Sequence, residues 1–121
     1  MRAALPHLTM RADFLRVAAT RKRCAMPSVV LQVGPRPADT GARARVGYTA
    51  SRKVGNAVVR NRSRRRLRAA VALLMPAHAD PAFDYVLVAR DATVRRPWPD
   101  LLRDLEAALR RLKTWREAPS L

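Results

Sequence analysis

Apolar positions along the chain change their spacing several times, and each change marks an element. From Thr9 to Ala19, Met10, Phe14 and Val17 share one side while Arg11, Asp13 and Arg16 face water, which predicts a short helix. Thr9 stands where an N-cap belongs, its hydroxyl free to accept a first-turn amide. Arg23 to Val33 predicts extended structure with a break near Pro27, which cannot donate to a ladder, and Val29-Val30-Leu31-Gln32-Val33 is its firm part. Gly34 to Gly41 reads as a turn-rich loop, and Arg43 to Ser51 alternates as a further strand. Asn56 to Met75 is the longest helical segment, about 30 Å at ~1.5 Å per residue, and Pro76 is expected to end it. Phe83 to Arg90 is a β-rich run bounded by Pro81 and Asp91. From Pro99 to about Trp115, Leu101, Leu105, Ala108, Leu112 and Trp115 step by four and three, with Pro in the first turn. Asp100 and Asp104 lie at the positive end of that helix and Arg110, Arg111 and Lys113 at its negative end, as the macrodipole favours. The order αβββαβα predicts an α+β fold, a two-layer α/β sandwich. Residues 1–121 make one domain's worth of chain, with 1–8 and 116–121 expected as flexible ends.

Charge sharpens this picture. The chain carries 25 Lys and Arg against nine Asp and Glu, a net charge of +16. That much like charge repels itself in a compact state, so a polyanionic partner is implied. No acid lies between Asp39 and Asp80, where Arg43, Arg45, Arg52, Lys53, Arg60, Arg62, Arg64, Arg65, Arg66 and Arg68 gather. On a wheel of about 100° per residue, Val59, Ala70, Ser63, Leu74 and Leu67 fall within one narrow stripe. Arg60, Asn61, Arg62, Arg64, Arg65 and Arg68 spread over the rest, while Arg66 falls beside the stripe and is expected to pack its stem and snorkel its head outward. Exposed helix faces ordinarily mix signs, because like charges four residues apart repel. The column Arg60, Arg64 and Arg68 has no compensating acid, and Arg forks suit phosphate oxygens. A membrane-surface helix would want bulky aromatics in place of this small aliphatic stripe.

The chemistry-bearing residues point away from a protein nuclease. Asp13, Asp39, Asp80, Asp84, Asp91, Asp100, Asp104, Glu106 and Glu117 are scattered along the chain, whereas metal-assisted hydrolysis needs carboxylates in clusters. His7 and His78 fall in loop-like segments and are read as solvent-exposed. Cys24 has no partner for a disulfide or a zinc site and reads as an ordinary thiol in a reduced compartment. Gly55 alone is no phosphate loop. Trp98 and Trp115 are read as anchors of the last helix. No apolar run reaches the ~18–20 residues of a membrane span, and the first residues lack a secretory stretch, so a cytoplasmic location is expected.

One string carries a resemblance. Arg60-Asn61-Arg62-Ser63-Arg64-Arg65-Arg66-Leu67-Arg68 is similar to the signature of the bacterial ribonuclease P protein family, usually written Arg-Asn-Arg-x-Lys-Arg-x-x-Arg. The likeness runs upstream through Val46-Gly47-Tyr48-Thr49-Ala50-Ser51-Arg52-Lys53-Val54-Gly55-Asn56-Ala57-Val58, downstream to Asp84-Tyr85-Val86-Leu87-Val88-Ala89-Arg90, and more loosely from about Leu8 to Leu112. It implies a mixed four-stranded sheet with a left-handed β-α-β crossover around the Arg helix, against the near-universal right-handed rule. It implies that Arg52, Lys53, Asn56, Arg60, Asn61, Arg62, Arg64, Arg65 and Arg68 meet a catalytic RNA. It also implies that a cleft with Phe14, Gln32, Arg45 and Tyr48 holds the 5′ leader of precursor tRNA. In that picture the protein binds no cofactor, and the RNA partner carries the catalytic centre and requires magnesium. The partners are ribonuclease P RNA and precursor tRNA, with no membrane and no DNA. The cleft departs from the family pattern. The second aromatic one turn beyond Phe14 is Ala18, and a strand aromatic is Gln32. Leader binding is therefore expected to lean on Phe14, hydrogen bonds and charge.

Two other readings share the size and charge. A ribosomal or other structural RNA-binding protein leaves the Asn56 to Arg68 string without a reason. A major-groove DNA reader would want base-reading Gln, Asn or Ser among its bases, and often a dimer.

Overall fold

The computed structural model describes residues 4–117. Its helices are α1 (Arg11–Ala19), α2 (Ala57–His78) and α3 (Trp98–Arg111), and its strands are β1 (Arg23–Ala25), β2 (Val29–Pro35), β3 (Arg45–Thr49) and β4 (Phe83–Ala89). A single 3-10 turn, Arg52–Val54, separates β3 from α2. The strands form one mixed sheet in the order β1-β2-β4-β3, antiparallel except for β3 beside β4. The parallel pair β3 and β4 is joined by α2, which is the β-α-β unit the resemblance implied.

Alternation along the strands gives the sheet two different faces. Val29, Leu31 and Val33 of β2 with Tyr85, Leu87 and Ala89 of β4 pack against Leu67, Ala70, Val71 and Met75 of α2 and Leu101, Leu105, Ala108 and Leu109 of α3. The opposite face carries a smaller cluster, in which Val17 of α1 and Leu8 meet Val86, with Phe14 and Val88 packed around them. Two helices cover one face fully, and one short helix covers half of the other.

Several local expectations are corrected by tertiary contacts. Thr9 does not cap α1: the N-cap is Met10, and it makes no side-chain cap bond. The chain before it is extended instead, because Leu8 N–H donates to Val46 and Val46 N–H donates to Pro6, at 2.9 Å each. Flexibility at 1–8 is thereby narrowed, since Pro6 to Leu8 are tied to β3, while 1–3 and 118–121 lie outside the described residues. Strand β2 runs two residues past Val33, into the expected loop. Gly34 lets the end of α1 approach closely there: an added Cβ would lie 3.1 Å from Thr20 Cγ2 and 3.4 Å from Val17 Cα.

Pro76 does not end α2, which continues to His78. The last turn is held from outside: Ala79 pairs with Trp115, Arg116 N–H donates to His78, and the His78 ring stacks on Trp115 at 4.0 Å. His78 is therefore half-buried at a helix end, not exposed in a loop. Helix α3 stops at Arg111, short of Trp115, and Lys113 turns the chain with φ 61°. Of the two acids expected at the positive end of α3, only Asp100 lies in its first turn; Asp104 lies further along and is 4% exposed. It accepts from Ser28 Oγ (2.6 Å) and from Arg96 Nε (3.0 Å) and Nη2 (3.1 Å), docking α3 onto the start of β2.

Candidate nucleic-acid interface

Helix α2 starts where the backbone makes a turn that only glycine tolerates well. Gly55 has φ +151°, and a Cβ there would lie 2.9 Å from Val59. Asn56 then caps the helix, its side-chain oxygen accepting from Val59 N–H at 3.0 Å. From there the residues Ser63, Leu67, Ala70, Val71 and Met75 are buried. The dry stripe is thus rotated toward Val71 and Met75 from the expected one, and Val59 and Leu74 are only half-buried.

This rotation decides what the arginines do. Arg62, Arg65 and Arg68 are exposed, while Arg60 and Arg64 are half-buried on the flank of the stripe. The expected outward row of Arg60, Arg64 and Arg68 therefore becomes a graded one. The Nε of Arg60 is buried without a hydrogen-bond partner. Arg64 bonds Asn61 at 3.2 Å, and the Arg68 guanidinium lies 5.6 Å from the Tyr48 ring centroid. None of these five arginines forms an ion pair with an acid among the described residues, although Arg16, Arg45, Arg96, Arg103 and Arg110 all do. Arg52 and Lys53 are exposed on the preceding 3-10 turn. Arg66 departs from the expected outward head. It donates to the carbonyls of Thr93 (2.6 Å) and Arg96 and covers Trp98, pinning the segment before α3.

The second face is built around α1. Phe14 lies over Gly47 of β3, where an added Cβ would sit 2.5 Å from its ring. Gln32 lies on the same side of β2, half-buried and paired in register with Val86. Arg45 also belongs to this side, but its guanidinium is committed. It donates to buried Asp84 at 3.0 and 2.7 Å and lies 3.4 Å from Asp13. The hydrogen bond to Asp84 holds Arg45 above the ordinary arginine value, against the opposing effect of desolvation. Tyr48 is not brought together with these residues. It packs into the core on the α2 side, between His7 and Arg68. Burial pushes its phenol up to about 12, against the lowering effect of Arg68. Beyond α1 the face is open, a depression of about 740 Å³ lined among others by Arg23, Val30, Lys53, Val88 and Arg90. It joins the uncovered sheet to the turn that leads into α2.

Sequence reasoning missed Arg23 and Arg90 on this depression, and it read Asp84 and Asp104 only as two of nine scattered carboxylates, without their buried ion pairs. A signal was there for the aspartates: Asp84 sits inside an apolar strand run, and Asp104 falls on the apolar stripe of its helix, three residues after Leu101 and four before Ala108. Among the described residues no group of three or more His, Cys, Asp or Glu could hold a metal, and no helix is long and apolar enough to cross a membrane.

Comparison with known proteins agrees with this geometry. The family model described as Ribonuclease P matches residues 4–113. A ribonuclease P protein component of Paramagnetospirillum magneticum is 53% identical over 115 residues, covering 93% of this chain and 86% of that protein. One from Ruegeria pomeroyi is 47% identical, covering 87% and 84%. The solved RNase P protein of Staphylococcus aureus superimposes with a TM-score of 0.75 over 91% of this chain and 97% of its own, at 24% identity, and so speaks for the fold.

Proposed function

The chain belongs to the ribonuclease P protein family and is the protein component of that tRNA-processing ribonucleoprotein, and from this premise we propose that it works through two RNA-facing surfaces. The outer side of α2 docks onto the phosphates of the ribonuclease P RNA. Arg62, Arg65 and Arg68 reach out from it, Arg60 and Arg64 flank them, and Arg52, Lys53 and Asn56 extend the surface at its start. The open half of the sheet, bounded by Phe14 and Gln32 and continued by Arg23, Lys53 and Arg90, receives the 5′ leader of precursor tRNA. Hydrolysis belongs to the RNA and the magnesium ions it binds, in the cytoplasm.

The observation that carries this reading is the imbalance of ion pairing. Among the described residues, acids neutralise arginines on α1, β3, α3 and the segment before α3, yet leave the arginines of α2 without an ionic partner. Guanidinium groups held that close repel one another unless a polyanion supplies the missing charge. Arg45 acts on the groove side as the counter-ion of Asp84, and Tyr48 acts from the opposite face of β3 as the platform under Arg68.

The test is charge reversal on the flank of α2. Arg60→Glu with Arg64→Glu should abolish cleavage of precursor tRNA by the reconstituted ribonucleoprotein at physiological salt and moderate magnesium. The circular dichroism of the free protein should stay unchanged. A double variant that still binds the RNA and supports cleavage under those conditions would sink the assignment.

A further inference from the structure

Asp84 is fully buried on the α1 side of β4, and its carboxylate takes guanidinium groups from two different elements. Arg45 of β3 meets it with Nε on Oδ1 and Nη2 on Oδ2, and Arg16 of α1 shares Oδ2. Asp13 of α1 closes the set, 3.2 Å from Arg16 and 3.4 Å from Arg45. Two acids and two bases therefore cancel, and Arg16 also donates to the Pro35 carbonyl at 2.8 Å. In a chain of net charge +16, two of nine acids are spent on this one place.

The place matters because of what it aligns. Asp13 and Arg16 flank Phe14 and Leu15 in sequence, so the quartet holds the turn of α1 that carries the Phe14 ring. That ring has no slack beneath it, since Gly47 leaves no more than a hydrogen's width of room. The far end of α1 is fixed independently, by Val17 against Gly34 and by Thr20 Oγ1 donating to the Val33 carbonyl at 2.7 Å. The quartet is thus placed to hold the middle of α1 against the sheet.

We infer that Asp84 is a positioning residue for leader binding: through Arg16 and Arg45 it clamps α1 to the sheet and fixes where Phe14 stands at the wall of the groove. This rests on the leader-groove reading. A buried carboxylate with two cationic forks has one geometry that satisfies it, whereas a hydrophobic contact alone would let a nine-residue helix shift. The clamp also explains why Arg45, on the groove side of β3, is withheld from substrate.

Arg16→Met tests this in the reconstituted ribonucleoprotein, because it keeps the stem over the sheet and leaves the Arg45–Asp84 pair in place. Precursor tRNAs with a leader of several nucleotides and of one nucleotide are compared. The KM advantage of the longer leader should shrink about tenfold, roughly what losing one stacked base is worth. Saturating kcat and affinity for the ribonuclease P RNA should stay as they were, and Arg16→Lys should restore part of the advantage. Asp84→Asn should repeat the loss in any preparation whose circular dichroism is native. Phe14→Ala serves as the reference for the groove itself. If Phe14→Ala removes the leader advantage and Arg16→Met does not, the clamp is refuted and the groove stands. If Phe14→Ala leaves the advantage intact, the groove reading falls and the clamp with it. A uniform loss of RNA affinity and kcat on Arg16→Met would reduce Asp84 to a merely structural role.

Discussion

Gly47→Ala is the sharpest test of how α1 meets the sheet. The added methyl would lie 2.5 Å from Cζ and 2.6 Å from Cε1 of Phe14, and 3.2 Å from Cβ of Leu8. Carbon atoms in contact prefer about 3.5–4.0 Å, so the ring must retreat by roughly 1 Å. Backbone strain is not involved, because Gly47 is absent from the positive-φ glycines, Gly41 and Gly55. Overpacking of this kind costs about 1–3 kcal/mol. For a domain of this size, a loss of 2 kcal/mol lowers Tm by about 10 °C. The assay is urea denaturation followed by circular dichroism, in salt sufficient to screen the protein's own charge. A double-mutant cycle isolates the contact. With Phe14→Ala the two closest contacts are gone and only Leu8 Cβ must give slightly, so Gly47→Ala should become close to neutral, the stiffer unfolded chain offsetting that contact. The coupling should therefore reach about 2 kcal/mol. An equal effect of Gly47→Ala in both backgrounds would refute the placement of Phe14 over β3.

Other outcomes follow from single contacts. Asp104→Ala leaves buried Ser28 and half-buried Arg96 without their acceptor and should lower stability by about 1–3 kcal/mol, with Asp104→Asn milder; a loss under about 0.5 kcal/mol in urea denaturation would contradict the network. The two tyrosines both have phenols raised by burial, Tyr48 to about 12. The folded state therefore favours the neutral phenol: its contribution is complete below the ordinary value near 10 and declines as pH rises from there toward 12. Tyrosinate absorbance of the native protein should stay flat through that ordinary value, and a rise there with the fold intact would contradict the burial. Arg62→Ala with Arg65→Ala, both exposed, should leave the urea midpoint within about 0.5 kcal/mol of the parent. The slope of log affinity for ribonuclease P RNA against log salt should flatten by about 1.4–1.8, and an unchanged slope would take these two off the phosphates.

Local pattern alone determined much of this protein. The order of elements, the long helix between β3 and β4, and the concentration of arginine on it are properties of spacing and composition. They survive in any fold that buries the apolar stripe. The family string from Val46 to Arg68 was legible for the same reason, since it lies in one continuous stretch of chain. What the spacing could not reveal was the fate of each charge. Arg45, Arg62 and Arg66 are the same residue type in the same basic run, yet Arg45 neutralises Asp84, Arg62 stands in solvent and Arg66 caps two loop carbonyls. The partners lie 39 residues away for Arg45 and 27 and 30 residues away for Arg66. The same holds for Pro76, inside an α2 whose last turn the tail around Trp115 packs on, and for Tyr48, turned away from Phe14 by the alternation of β3. Periodicity is a local property of the chain, but the electrostatic role of a side chain depends on which distant group folding brings within hydrogen-bond range, and only the tertiary structure decides that.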